Sequence, residues 1–207
     1  SLELDVSAKT SLVFRSPMGK GFRIRSTKPR TSERDYPGSL EVRRANGAFL
    51  LIATVPLEEY VAGVVQAEAG KGHDIEYYKL QAVSCRTYAL ANARRHAAEG
   101  FEVCDLTHCQ VFKGRNTLDT IRQAVTLTRD MVVVDANIRL IHATFHSNCG
   151  GETMDAEDLW SKSEPYLVST TDTFCLHSPH AVWRKAVLRS TWLAYLKNKF
   201  GVPTEDS

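Results

Sequence analysis

The chain has no run approaching the ~20 apolar residues of a membrane span, no internal repeat, no low-complexity segment and no block of like charge. Each absence removes a class of protein. No segment reads as a transmembrane helix. Lys and Arg number 26 against 24 Asp and Glu, a net charge of +2, which is too mild to argue for a nucleic-acid partner. The densest basic stretch, Arg23–Arg34, mixes turn residues with charge and reads as a solvated surface. A hydrophobic content of 43% with 24% charged residues excludes a disordered chain. There is also no legible signal peptide and no initiating methionine. The expectation is a processed or truncated chain, in which an export signal, if removed, can no longer be read.

Cysteine is what the chain has in excess. Five cysteines are more than a reduced enzyme of 207 residues requires, and the odd number leaves at least one thiol unpaired in a monomer. This usage leans toward an exported protein or a metal site. The length suits one large or two small domains.

Short strands are expected at Leu12–Phe14 and Phe22–Arg25, then a hairpin of Ser39–Arg43 and a buried strand Phe49–Val55, turned by Ala45-Asn46-Gly47. Pro56 opens a first helix, closed by Gly70 and Gly72. A second helix is expected from Ile75 to Ala98, stopping at Gly100, with Leu80, Val83, Thr87 and Leu90 as its apolar stripe. The third is Asn116–Thr128, with Leu118, Ile121 and Val125 inward. A second hairpin, Met131–Val134 with Ile138–Phe145, turns at Asp135-Ala136-Asn137. Trp183–Leu188 looks like a last strand, and Ser190–Phe200 like a helix capped by Ser190 and stopped by Gly201. Helices and hairpins interleave without a βαβ rhythm, so the fold class is α+β. The expected organisation is an N-terminal β-rich extension (1–35), one compact catalytic domain of hairpins against helices (36–201) and a C-terminal tail (202–207).

The most informative stretch is Pro56–Ala69, PLEEYVAGVVQAEA. Glu68 follows Val61, Val64 and Val65 at seven, four and three residues, which puts it on the inward stripe of the helix. A carboxylate at an apolar edge loses solvation, and its neutral form is favoured. A general acid working near neutral pH needs that. Glu58 and Glu59, in the first turn, suit the helix dipole and are expected to face water. Arg86, in LQAVSCRTYAL, is drawn toward the packed face by Val83 and Leu90 and needs an acceptor there. It reads either as a structural ion pair, with Glu68 a candidate partner, or as a charge that orients Glu68 or a substrate oxygen.

The loop Cys104-Asp105-Leu106-Thr107-His108-Cys109 is dense in ligand atoms. Cys104 and Cys109 could form a disulfide, share a metal with His108 and His96 as a Cys2His2 set, or stay unlinked. A zinc here would be structural, since four protein ligands leave no open position. Phe145-His146-Ser147-Asn148-Cys149-Gly150-Gly151 ends a strand in a Gly-Gly turn that permits close backbone approach. It reads as a tight structural turn, as a ligand site, or as a Cys149 nucleophile beside His146; Cys149 could equally pair with Cys175. The aromatic side chains, among them Tyr60, Tyr77, Tyr78, Tyr88, Phe112, Trp160 and Tyr166, are core residues by default.

These motifs, with ATFHSNCGGETMDAEDLW and EPYL in the same order and the hairpin GSLEVRRANGAFLLIATVPLEEY before them, resemble the stage II sporulation protein D (SpoIID/LytB) domain family over about residues 36–200. The resemblance implies a peptidoglycan lytic transglycosylase that cleaves the MurNAc–GlcNAc bond and leaves a 1,6-anhydro end. It places the catalytic glutamate at Glu68 and the family arginine at Arg86. The substrate-cleft turn falls on His146, Ser147, Gly150 and Gly151, with Phe145 and Asn148 beside them. It also implies an exported, envelope-located protein, periplasmic or extracellular, anchored to the membrane if at all through a segment missing here.

Peptidoglycan strands, and another wall hydrolase or an amidase, would be its partners. The chemistry would require no cofactor, while a structural zinc at His96, Cys104, His108 and Cys109 is compatible with some members. This chain departs from the family pattern in QAEAGKG after the glutamate, in Phe145 where a tyrosine is frequent, and in SNCGG at the turn. Two alternatives stand beside the transglycosylase. One is a non-catalytic wall-binding or amidase-enhancing module. The other is a muramidase-type hydrolase using Asp105, Asp155, Glu157 or Asp158 as a second carboxylate.

Overall fold

Alternating residues and turn glycines build the N-terminal part of the structure, a computed structural model that describes residues 11–16, 20–45 and 47–201. Strand β1 (Ser11–Arg15) pairs antiparallel with β4 (Ser39–Ala45), which pairs with β5 (Ala48–Thr54) in the register Ser39↔Thr54 to Ala45↔Ala48. The expected hairpin is therefore present, although Asn46 of its turn lies outside the described residues. A separate two-stranded sheet joins β2 (Phe22–Ile24) to β3 (Arg34–Tyr36). The expected burial of β5 does not hold. It is an edge strand of its sheet, and Phe49 and Leu51 are at least half exposed.

Helix α1 (Leu57–Ala69) starts after Pro56, whose missing N–H falls where the helix has no acceptor to offer. It ends at Gly70, whose φ of 73° is available to glycine at little cost. Helix α2 spans Ile75–Ala91, and the chain then turns through a 3-10 segment, Ala97–Glu99, to Gly100. The helix thus stops seven residues before the expected Ala98, and His96 stands in the turns beyond it. Its expected stripe holds only in part: Thr87 is buried and Val83 partly so, but Leu80 and Leu90 are exposed, whereas Tyr78, Ala82, Cys85 and Ala89 are buried. Small residues at 82, 85 and 89 let neighbouring helices approach closely, which outweighs the larger leucines in choosing the inward face.

Helix α3 (Asp119–Leu127) buries Ile121, Ala124 and Val125. With Val61, Val64 and Val65 of α1, Tyr78, Ala82 and Cys85 of α2, Tyr36 and Phe112, these residues form the core of the first of two units into which the structure divides, at Thr144 and Phe145. The second expected hairpin reduces to one bridge, Val134↔Leu140, closed by Asp135, whose carboxylate accepts the N–H groups of Asn137 and Arg139.

The second unit is mostly irregular. It carries α4 (Ala156–Trp160), a 3-10 segment, Thr173–His177, and α5 (Arg189–Phe200). Residues 183–188 form no strand; Trp183 and Leu188 are largely exposed, so the apolar run there is not a core strand. Ser190 lies inside α5 rather than capping it, and Gly201 closes the helix in the left-handed region. Helices and small antiparallel sheets together make an α+β protein. The expected tail, residues 202–207, lies outside the described residues.

Candidate functional site

The last turn of α1 carries Glu68 out of the packing of α2 and α3. The carboxylate is exposed, not buried as the stripe argument expected. Its charge is still felt by the wholly buried Cys85 on α2. Burial first, and then Glu68, push the Cys85 thiol up to about 12. One Glu68 oxygen, Oε1, accepts the backbone N–H of Val111 at 2.8 Å. The loop behind Glu68 is pinned from α2, where the Tyr78 hydroxyl donates to the Gly70 carbonyl (3.1 Å) and accepts from the His73 N–H (3.3 Å).

Arg86 is 1% exposed and does not pair with Glu68. Its partner is Glu58, from Nε to Oε1 at 2.9 Å and from Nη2 to Oε2 at 2.7 Å. This bidentate fork is the strong form of an Arg–carboxylate pair. The Met131 carbonyl accepts a further N–H at 3.1 Å. Glu58 is thereby half-buried and engaged rather than a free first-turn acid. Sequence reasoning missed it because the helix dipole already accounted for an acid there. Arg86 braces α1 against α2 and the segment after α3, and takes the structural one of its two readings.

The loop from Cys104 to Arg115 connects two sites. Its Phe112 is buried in the core, and Cys109 packs with Tyr88 and Ala143 in a smaller cluster. At its other end, His96, Cys104, His108 and Cys109 converge, with one ligand atom from each within 4.8 Å of the others. Cys109 Sγ lies 3.5 Å from His96 Nε2 and 3.7 Å from His108 Nδ1, and Cys104 Sγ lies 3.8 Å from His108 Nδ1.

None of the five cysteines is in a disulfide. His96 Nδ1 is paired with the Glu99 carboxylate, which leaves Nε2 facing the thiols, the arrangement that orients a metal-binding histidine. Two sulfur and two nitrogen donors this close together are a set that fits zinc. His108 Nε2 meets Arg95 Nη2 at 3.3 Å. Ligation through Nδ1 would place the proton on Nε2 and break that contact.

The Phe145–Gly151 turn belongs to the second unit. His146 and Ser147 are exposed. Asn148 shapes the turn: its Oδ1 accepts the Gly150 N–H at 2.7 Å, and its Nδ2 donates to the Cys175 carbonyl at 3.2 Å. Gly151 adopts a φ of 111°, and a Cβ there would meet Leu176 Cδ2 at 2.8 Å. Cys149 contacts Asp172 and Cys175. The Gly151 N–H lowers its pKa, but desolvation, Cys175 and Asp172 together outweigh it and hold the thiol above its ordinary value. An activated nucleophile requires the opposite.

A cavity of about 750 Å³ lies in the first unit, lined by residues of β5, Tyr60, Leu90 and the Gly100–Asp105 segment. Glu68 is not among its lining residues. No helix among the described residues is long and apolar enough to cross a membrane.

The domain that holds Glu68, Arg86 and the Cys/His loop has a known class. Residues 45–134 match the family described as stage II sporulation protein, SpoIID, and the chain belongs to that family. It is 31% identical over 189 residues to the stage II sporulation protein D of Bacillus amyloliquefaciens, covering 83% of this chain and 54% of that one. It is 30% identical over 202 residues to the protein of that name from Bacillus subtilis, covering 88% and 57%. To the B. subtilis amidase enhancer it is 33% identical over 111 residues, covering 54% of this chain and 15% of the relative. The chain therefore spans a little over half the length of the two sporulation proteins.

Proposed function

We propose that this is a cell-wall enzyme, a peptidoglycan lytic transglycosylase in which Glu68 is general acid and then general base. The observation that carries the reading is Glu68 itself, a solvent-facing carboxylate with one oxygen fixed by the Val111 N–H and the other turned free of that bond. An exposed acid suits a polymeric strand better than an enclosed pocket would. Glu68, protonated, donates to the glycosidic oxygen as the C1–O bond breaks. Its carboxylate then takes the proton from the 6-hydroxyl of the muramic sugar as that oxygen bonds to C1. The proton returns to Glu68, no water is consumed, and a single carboxylate suffices.

The exposed His146 and Ser147, with Phe145, Asn148, Gly150 and Gly151, would contact the glycan. Arg86, wholly buried and paired with Glu58, would brace α1 rather than touch substrate. His96, Cys104, His108 and Cys109 would hold a structural zinc that fixes the loop carrying Val111. The protein would act in the envelope after export, on peptidoglycan strands. Digestion of purified peptidoglycan followed by mass spectrometry tests the reading. Wild type should yield 1,6-anhydro-muropeptides, and Glu68→Gln should lose about 10²–10⁴-fold in rate while remaining folded. Reducing-end products from wild type would mean hydrolysis instead.

Similarity to the amidase enhancer favours one second reading, a wall-binding module that stimulates an amidase. In that case Glu68→Gln leaves both glycan binding and the stimulation intact.

A further inference from the structure

Two segments of the second unit meet at three donor groups that the proposed reaction does not use. Cys149 comes from the Gly-Gly turn, Asp172 caps the 3-10 segment Thr173–His177 and Cys175 lies within it. One ligand atom from each lies within 4.8 Å of the others. Asp172 Oδ2 stands 3.4 Å from Cys149 Sγ and 3.6 Å from Cys175 Sγ. A tetrahedral zinc with Zn–S of about 2.3 Å and Zn–O of about 2.0 Å separates sulfur from oxygen by about 3.5 Å. Both observed sulfur–oxygen spacings match that edge. In the metal-free chain the same spacings let both thiols donate to Asp172 Oδ2, which holds the three groups together ahead of an ion.

The surroundings prepare the donors. Asp172 Oδ1 accepts the Phe174 N–H at 3.0 Å, which turns Oδ2 toward the sulfurs. The Asp172 N–H donates to the Gly151 carbonyl at 2.9 Å and ties the two segments together. The Gly151 N–H points at Cys149 Sγ from 3.4 Å, where it would stabilise a thiolate. A disulfide would leave Asp172 Oδ2 against sulfur lone pairs, with neither thiol proton to accept. A divalent cation gives the carboxylate and both sulfurs a common partner.

We propose that Cys149, Asp172 and Cys175 form a second cation site, for a thiophilic divalent ion of the zinc class. All three ligands are partly accessible, so the fourth position is open to water. Such a site would hold the Ser147–Gly151 turn against the 172–177 segment. It stands independently of the glycan reading, since its donors and its test involve no activity.

The test uses the full chain, purified with reductant, stripped of metal and titrated with zinc and with cobalt(II). Wild type should bind one equivalent more than Cys149→Ser/Cys175→Ser. Cys104→Ser/Cys109→Ser should retain sulfur-to-cobalt charge transfer and tetrahedral d–d bands from the remaining site. Asp172→Asn should weaken that site about 10–100-fold. Zinc should also protect Cys149 and Cys175 of the wild type from alkylation, mapped by peptide mass, a readout that needs no variant to fold. Equal stoichiometry in wild type and Cys149→Ser/Cys175→Ser overturns the site. So does a Cys149–Cys175 disulfide that persists in protein prepared with zinc present.

Discussion

The backbone N–H of Val111 donates to Glu68 Oε1 at 2.8 Å, and Val111 stands two residues beyond Cys109 of the four-donor cluster. The carboxylate is therefore held by a loop whose other end is held by thiols and imidazoles. If a zinc organises that cluster, removing it should loosen the grip on Glu68 without touching the carboxylate. Chelation is expected to lower the proposed wall-digesting activity about tenfold or more and to lower the melting temperature, with both restored by zinc. Cys109→Ser should reproduce the loss without restoration. Full activity in protein shown by elemental analysis to be metal-free would remove the metal from this role.

The Arg86–Glu58 pair predicts a second outcome. Arg86 is 1% exposed, so removing its partner strands a buried charge. Glu58→Gln should cost about 3 kcal/mol, at the low end for a broken buried pair, because backbone carbonyls of Met131 and Val125 still accept from the guanidinium. Arg86→Lys should cost a similar amount, since an ammonium cannot reproduce the planar fork. Joint replacement by Glu58→Met and Arg86→Met should be less damaging than the sum of the single changes. Urea unfolding of wild type, Glu58→Met, Arg86→Met and the double variant reads the pairing. Additive losses would mean that the two side chains do not act as a pair.

This pair also marks where the sequence stopped being legible. Helical spacing put both Arg86 and Glu68 inward, and joining them was the simplest inference. Spacing orients a side chain about its own helix but carries no information on how far along that helix the neighbour reaches. Glu58, ten residues before Glu68 on the same helix, sits where α2 presents Arg86; Glu68 sits where the packing ends. The hairpin, α1, α3 and α5 were legible because alternation, Pro56 and Gly201 fix them locally. The inward face of α2 was not, since Ala82, Cys85 and Ala89 win it through close approach, a property of the partner helices. The Cys/His cluster was legible as a donor set. The Val111 N–H was not, because a backbone donor leaves no signature in residue type.

Cys85 gives stability a pH dependence. Burial raises its thiol from an ordinary 9.0 to about 12 in the folded chain. A raised value means that the folded form keeps its proton where the unfolded form has lost it. The contribution is therefore fully present below about 9 and is lost as pH climbs through about 12. The slope in that window is at most about 1.4 kcal/mol per pH unit. Cys85→Ala should flatten this part of the alkaline limb, measured as the difference in urea midpoint between the two proteins as pH rises. Alkylating reagents at neutral pH should label Cys85 only after unfolding. Rapid labelling of the native protein would show that the thiol is not sealed.

Gly63 offers the last prediction, because it lies on α1 where that helix meets the segment carrying Val111. A Cβ at this position would stand 2.4 Å from both the Gly114 carbonyl oxygen and Phe112 Cε2. Alanine gains up to about 1 kcal/mol of helix propensity over glycine, but overpacking of a fitted contact costs about 1–3 kcal/mol. Part of the obstruction is backbone, which cannot swing aside, so the steric term should win and Gly63→Ala should be destabilising. The relief available is a shift of residues 112–114 away from α1, which carries the Val111 N–H off Glu68. Gly63→Ala should thus lose more wall-digesting activity than Glu58→Gln, although Glu58→Gln is expected to cost more stability. Rates measured well below both melting temperatures separate the two effects, and activity that simply tracks stability across the pair would break the link between this helix contact and Glu68.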